Sequence, residues 1–366
     1  MLLLKNRDLF INLFILIIIL IFFDLFALCF YLFLNFVSYL NIARDKLVNS
    51  NNIATKHGIS SQNSSRLGGI LILCFFSSNL IFNNYFNYTL LIQEEIFFYF
   101  IVVIFISFLG LADDLLGGVN HLLKLYLLIF SIIILLFTND IFLFDETGVE
   151  LFDKILDNKL ISFVITLIVI TGFINASNMS DGANGILSGI SSILFFSFYL
   201  ISNNDYYFLI FKFIFIFFLC NIFFGKVFLG DSGSYFLGII ISSLSLYNYN
   251  NNIVSAGFLA CLLSYPCIEI TFTIIRRLNL KSNPLKPDNK HLHNFLFDFF
   301  KTKFNDLLIA NSLTGSLILI IFSLPPMFIY LLYFDKSTLS YWYVFLIQLF
   351  IYFYLYGSLS NMLLKK

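Results

Sequence analysis

Long apolar runs cut by short polar breaks make up most of this chain. A membrane-spanning helix needs about 20 mostly apolar residues, and eleven runs approach that length. They cover roughly 9–40, 67–84, 96–112, 122–138, 160–175, 184–202, 207–224, 234–248, 253–275, 306–333 and 341–362. The pattern predicts an all-α, polytopic integral membrane protein, with one transmembrane domain over residues 1–366. The first run has no Gly or Pro, so it reads as one tilted helix in preference to two, and its Asp24 reads as a polar residue facing the bundle. It is too long for the apolar core of a signal peptide and is expected to persist. The asparagine run at 248–252 reads as an exposed turn on the outer side.

Composition agrees and narrows the class. The chain is 60% hydrophobic and 11% charged, where soluble domains carry about 25% charged residues. No stretch is polar enough for a separate soluble domain. Net formal charge is zero, so the totals give no case for nucleic acid. The five cysteines sit singly in apolar runs without metal-ligand spacing.

Charge sets an expected orientation. With eleven spans threaded alternately, only Lys5, Arg7, Lys154, Lys159, Lys212 and Lys336 of the 21 basic residues fall on one face. The remainder share the face that receives loops at about 41–66, 113–124, 176–183, 225–234 and 276–305. An excess of Lys and Arg marks the cytoplasmic side. The N-terminus is therefore expected outside and the C-terminus in the cytoplasm.

The same loops carry the candidate chemistry. Asp113-Asp114 closes one run, Asp181 follows Asn175-Ala-Ser-Asn178-Met-Ser, and Asp231 lies in Gly230-Asp231-Ser-Gly233-Ser234. Carboxylate and amide oxygens suit a hard cation such as Mg²⁺, which takes few protein ligands. Asp231 is the first choice as metal ligand. Glycines beside these residues let backbone N–H groups approach phosphate. Lys124, and His291 with His293, would neutralise charge developing on phosphate. Each feature also has an ordinary explanation: a solvated helix end for Asp113-Asp114, a snorkelling side chain for Lys124, a packing amide for Asn221. Glu269 is either a deep charge or a brace for the basic loop. A transporter would hold ionisable residues near the bilayer midplane, whereas this chain gathers them at one face.

Five pieces in order resemble the polyprenyl-phosphate N-acetylhexosamine-1-phosphate transferases of glycosyltransferase family 4. They are Ser65-Arg66-Leu-Gly-Gly-Ile70, Leu111-Ala-Asp113-Asp114, Asn175 to Gly185, Phe228-Leu-Gly-Asp231-Ser-Gly-Ser234, and Arg276-Arg277 leading to Pro287-Asp288-Asn-Lys-His291-Leu-His293. The last piece is similar to the undecaprenyl-phosphate N-acetylglucosaminyl-1-phosphate transferase-like branch, which starts O-antigen, lipopolysaccharide and teichoic-acid glycans. It is less similar to phospho-N-acetylmuramoyl-pentapeptide transferase, the second reading. A transporter and an inactive scaffold relative are the readings from other classes.

The resemblance implies a multi-pass protein of the bacterial inner (cytoplasmic) membrane with its active site facing the cytoplasm. It implies transfer of a sugar-1-phosphate from a UDP-N-acetylhexosamine, UDP-GlcNAc by default, to undecaprenyl phosphate, with release of UMP. Mg²⁺ is the implied cofactor, with Mn²⁺ as a substitute. By the same carry-over Asp231 and Asn178 are metal ligands, and Asp113, Asp114, Asp181, Lys124, His291 and His293 are catalytic. Phe228, Gly182, Asn184, Asn221 and Arg277 are substrate-binding. A homodimer is compatible with this reading. The chain departs from the pattern at Asn294, where a further His is usual, at 58–66, at Phe224-Gly225, and at His121.

Overall fold

The computed structural model describes residues 2–48, 65–82, 94–116, 118–144, 147, 150–283, 288–333 and 338–364. The expectations for 49–64, Gly117 and 284–287 lie outside the described residues.

The regular elements are helical: α1 (Leu2–Phe22), α2 (Leu25–Val48), α3 (Gly68–Phe82), α4 (Glu94–Leu116), α5 (His121–Thr138), α6 (Glu150–Leu156), α7 (Lys159–Ser180) and α8 (Ile186–Ser202). They continue as α9 (Asp205–Phe224), α10 (Gly230–Asn250), α11 (Ala256–Leu262), α12 (Ser264–Asn279), α13 (Leu292–Lys301), α14 (Leu307–Ile318), α15 (Leu324–Tyr333) and α16 (Thr338–Leu364). Among the described residues the extended pairing is one parallel bridge, Ser65 to Val227. Among the described residues six helices are long and apolar enough to cross a membrane, or seven if the bent pair α11–α12 is one span. Leu25–Leu40, Gly68–Ser78 and Ile186–Ser202 are shorter apolar helices. The chain is a multi-pass membrane protein.

α10 lies at the centre, packed on α4, α7 and α3. It is buried along almost its whole length, with small residues where neighbours cross. A Cβ on Gly69 would lie 1.9 Å from Gly233 Cα, so α3 and α10 meet backbone to backbone. Many serines in these helices donate back to a carbonyl four residues earlier, as Ser242 does to Gly238 at 2.8 Å. That bond hides a hydroxyl where water is absent.

Three expectations about the spans need correction. The first apolar run is two helices rather than one. The chain breaks at Phe23-Asp24, where Asp24 Oδ1 accepts the N–H of Ala27 at 2.9 Å and starts α2 as a cap does. Lys212 of α9 pairs with the same carboxylate, and Phe23 packs on Phe208, Phe211 and Phe215. A carboxylate with a partner on another helix overrode the continuous apolar pattern.

Because α2 doubles back, the termini are not at opposite ends. Arg7 lies 3.5 Å from Asp306, and Lys226 lies 3.5 Å from Asp8. Near the other terminus Tyr356 donates to the Lys290 carbonyl at 3.1 Å. The start of α1 and the end of α16 therefore flank the same end of the bundle.

The expected single span at 253–275 is bent by 74° between α11 and α12. Pro266 has no N–H to give to the Leu262 carbonyl, and Ser323 supplies the missing donor at 3.1 Å. A similar substitution serves the run containing Pro325 and Pro326, which is preceded by a π-helical turn, Leu319–Ser323. Pro326 leaves the Phe322 carbonyl without its usual donor, and Gln348 reaches it at 2.7 Å.

The asparagine turn is also less exposed than its composition implies. Asn248 is fully buried. Only Asn251 and Asn252 face outward.

Candidate active site

The carboxylates converge at one end of the bundle. Asp113 and Asp114 end the polar edge of α4, and Asp231 opens α10. Lys124, one turn into α5, sits between them. Its Nζ is 2.8 Å from Asp113 and 3.8 Å from Asp231. Asn120 caps α5 through the Leu122 N–H, and Asp113 also accepts the Val119 N–H. These bonds hold the start of α5 against the end of α4, so that Lys124 returns to the carboxylates.

Asp114 faces the other side of the turn. Its Oδ2 accepts the Ser232 N–H at 3.3 Å, and Arg66 lies 3.5 Å from Oδ1. Gly230, at φ +72°, makes this possible. A Cβ there would lie 2.4 Å from the Arg66 carbonyl and 2.6 Å from Asp114 Oδ2, and the left-handed conformation itself disfavours other residues. The segment before α10 is held by Phe228 N–H to the Ser65 carbonyl at 2.7 Å and Gly68 N–H to the Phe228 carbonyl at 3.0 Å. Phe228 is half-buried on this segment.

Asp181 caps the end of α7 on the same side. Burial pushes its carboxyl well above the usual range, and the charges of Asp231 and Asp114 push it further. Asn178 is half-buried one turn earlier on α7. Gly182 touches the 288–293 segment directly, since a Cβ there would lie 2.0 Å from His293 Nε2.

His291 and His293 stack with ring centroids 5.3 Å apart and planes 12° from parallel. Tyr265 bonds His293 Nδ1 at 2.8 Å. Burial, followed by the nearby His291, pushes His293 down to about 3, so it is neutral at ordinary pH. Glu269 serves as the brace rather than a free deep charge: it accepts the Leu292 N–H at 3.2 Å and lies 2.9 Å from His291 Nδ1. Asp288 takes both Arg276 guanidinium nitrogens at 3.1 Å and Arg277 Nε at 3.1 Å. Those bonds, led by Arg276 and helped by the Lys290 N–H, hold its carboxyl well below the usual range against its partial burial.

Two expected substrate-binding residues have their side chains committed to the fold. Asn221 accepts the Gly185 N–H at 2.6 Å and donates to the Val227 carbonyl at 2.8 Å. Asn184 exchanges bonds with Asn311, giving its backbone N–H at 2.9 Å and receiving the Asn311 amide at 3.3 Å. They shape the 182–185 turn from behind. Arg277 is likewise engaged by Asp288. The sequence reading assigned no role to Arg66, Tyr265 or Asn311. Arg66 was visible as a lone cation before two glycines, but Asn311 lies within an unremarkable apolar run.

The donor set suits a cation completed by substrate. Among the described residues no group of three or more His, Cys, Asp or Glu is arranged to hold a metal alone. Asp114 Oδ1 is nevertheless buried without a hydrogen bond, as is Ser232 Oγ. Asp113 and Asp231 both lie against the Lys124 ammonium, which offsets the repulsion between them. Mg²⁺ takes one or two carboxylates and fills its shell with water and phosphate oxygens. The residues fit that role.

The fold and site thus define a multi-pass membrane protein with carboxylates gathered around one lysine at one end of its helices. Residues 96–248 match the model of glycosyl transferase family 4. The chain is 38% identical over 131 residues to the undecaprenyl-phosphate alpha-N-acetylglucosaminyl 1-phosphate transferase of Thermotoga maritima, covering 36% of this chain and 42% of that one. It is 31% identical over 147 residues to a probable undecaprenyl-phosphate N-acetylglucosaminyl 1-phosphate transferase of Bacillus subtilis, covering 38% and 41%. A phospho-N-acetylmuramoyl-pentapeptide-transferase of Petrotoga mobilis is 31% identical over 197 residues, covering 51% and 61%. The matches thus span less than two thirds of these relatives.

Proposed function

We propose that the protein transfers N-acetylhexosamine-1-phosphate from a UDP-sugar, UDP-GlcNAc by default, to undecaprenyl phosphate. The products are the lipid diphosphate sugar and UMP. The observation that carries this reading is Lys124 held between Asp113 and Asp231, with Asp114 and Asp181 alongside, at the end of an apolar bundle. The names of the relatives from Thermotoga and Bacillus support it.

Asp231, with Asn178, would hold Mg²⁺ or Mn²⁺. When bound, the ion supplies charge neutralisation to the nucleotide diphosphate. Lys124 and His291 face phosphate oxygens and offset the repulsion between two anions. Gly182, Asn184, Asn221 and Phe228 shape the wall that receives the nucleotide, the two amides from behind it. Asp113 and Asp114 orient Lys124 and the Gly230 turn toward the lipid phosphate. An oxygen of that phosphate attacks the sugar-bearing phosphorus of the donor, and the bond to UMP breaks. A phosphate monoester is largely ionised at pH 7, its second pKa being about 6, so the attack needs little help from a base. All these groups come from one chain, so a second copy is not required to complete the site.

The site faces the cytoplasm of the bacterial cytoplasmic membrane, with both termini on that side. The Lys and Arg excess of the flanking loops supports this, and Arg7 at the start of α1 adds to it. A muramoyl-pentapeptide donor is the second reading, favoured by the Petrotoga relative.

Release of UMP by detergent-solubilised protein, with undecaprenyl phosphate and a panel of UDP-sugars, tests the reading when the lipid products are weighed by mass spectrometry. Asp231→Asn is expected to abolish release, and EDTA to stop it until Mg²⁺ is restored. Near-normal turnover by Asp231→Asn would refute the metal role. No lipid product from any donor would refute the reaction.

A further inference from the structure

We infer that Glu269 is a positioning residue for His291, setting from inside the bundle which imidazole nitrogen meets the phosphate. The inference rests on the transferase reading above. Glu269 is fully buried on α12, in a position where a carboxylate is unfavourable without partners. It has four. Its Oε1 lies 2.9 Å from His291 Nδ1 and accepts Thr273 Oγ1 at 3.4 Å. Its Oε2 accepts the Leu292 N–H at 3.2 Å and the Tyr352 hydroxyl of α16 at 3.0 Å.

The consequence is a fixed tautomer. A carboxylate only accepts, so His291 Nδ1 must carry the proton that Glu269 receives. Nε2 is then the nitrogen turned away, toward Asp288 at 3.7 Å. When a phosphate oxygen approaches Nε2, a proton there makes the ring a cation, with Glu269 as its buried counter-charge. The groups facing His291 are Glu269 and Thr273 on α12, Asp288 on its own loop with Arg276 and Arg277 behind it, and the stacked His293 ring. Tyr352 and Tyr356 of α16 lie beyond Glu269 and Phe272. Of these, Glu269 contacts Nδ1 most closely and reaches two further elements. A bond to the first N–H of α13 fixes the loop as well as the ring.

Glu269→Gln keeps the size and most of the bonds but removes the charge. Outer carboxylates that orient a histidine are typically worth about 10- to 100-fold. Glu269→Gln should lower kcat by a factor in that range, with KM for undecaprenyl phosphate little changed. The alkaline limb of the kcat profile should move to lower pH, because a ring without its counter-charge releases its proton more easily. Tyr352→Phe removes one bond and leaves the charge. It should lower kcat less and leave that limb in place. A Glu269→Gln profile superimposed on that of the unmodified protein would overturn the inference, as would equal limb shifts in both variants. Activity of the unmodified protein in the same assay tests the transferase reading separately.

Discussion

Asn248 and Asp114 mark opposite ends of the same bundle, and both are largely buried. Asn248 accepts the Tyr207 hydroxyl at 2.9 Å and donates to the Leu244 carbonyl at 2.8 Å, while its own carbonyl takes the Ile253 N–H at 2.9 Å. Asn250 reaches the Ile141 and Leu143 carbonyls at 2.8 and 2.7 Å, and Asn158 and Asn204 cap α7 and α9. That end uses neutral amides, each closing a backbone gap. Asp114 instead faces the Arg66 guanidinium at 3.5 Å, and its neighbours Asp113 and Asp231 crowd like charges around one lysine. The asparagine end joins neutral groups. The carboxylate end gathers charges of one sign, which is costly without a counter-charge.

That contrast can be broken by mutation. The largest effect is expected for Lys124→Ala, which removes the cation between Asp113 and Asp231. Loss of one preorganised charge in such a site costs about 100- to 1000-fold in kcat, and UMP release should fall by that order. A next step down is Gly182→Ala. Its Cβ would overlap the His293 ring, so the 181–185 turn or the ring must move, and kcat should fall about tenfold or more.

Asn248→Ala probes the other end. It leaves the buried Tyr207 hydroxyl without its partner, at about 1–3 kcal/mol. Thermal unfolding in detergent should shift while the kcat of the surviving protein stays unchanged. A loss of kcat there, or a loss of stability alone at Lys124, would erase the distinction between the two ends.

The smallest effect concerns pH. The Asp288 carboxyl is depressed in the folded protein by its arginines, so its contribution is fully present above the unfolded carboxylate value, about 3.9. It is lost only as pH falls below that, through the folded value. The difference in unfolding temperature between the protein and Asp288→Asn should be constant from pH 7 to 5 and narrow only below about pH 4.

Much of the site could be read in the sequence because charge is rare in it. Asp113, Asp114, Asp181 and Asp231 stand out at the ends of apolar runs, and the structure gathers them at one end. Asn184 and Asn221 were visible as polar residues near these motifs, but not what they bond. The Asn311 partner of Asn184 is 127 residues away, and no local pattern encodes such a distance. Glu269 was visible as a buried charge of uncertain use, and its use became clear only when α13 and α16 packed against α12.

The apolar periodicity alone determined that this chain is helical and crosses a membrane several times, because a backbone in hydrocarbon must bond to itself. It also marked which residues are candidates for chemistry, because a charge between such runs needs water, a partner or a ligand. The tertiary structure decided where the runs break and which end each terminus reaches. Asp24 became a helix start through Lys212, and Pro266 became a 74° bend supported by Ser323. Those outcomes depend on partners supplied by other helices, and a bilayer offers no water to take their place.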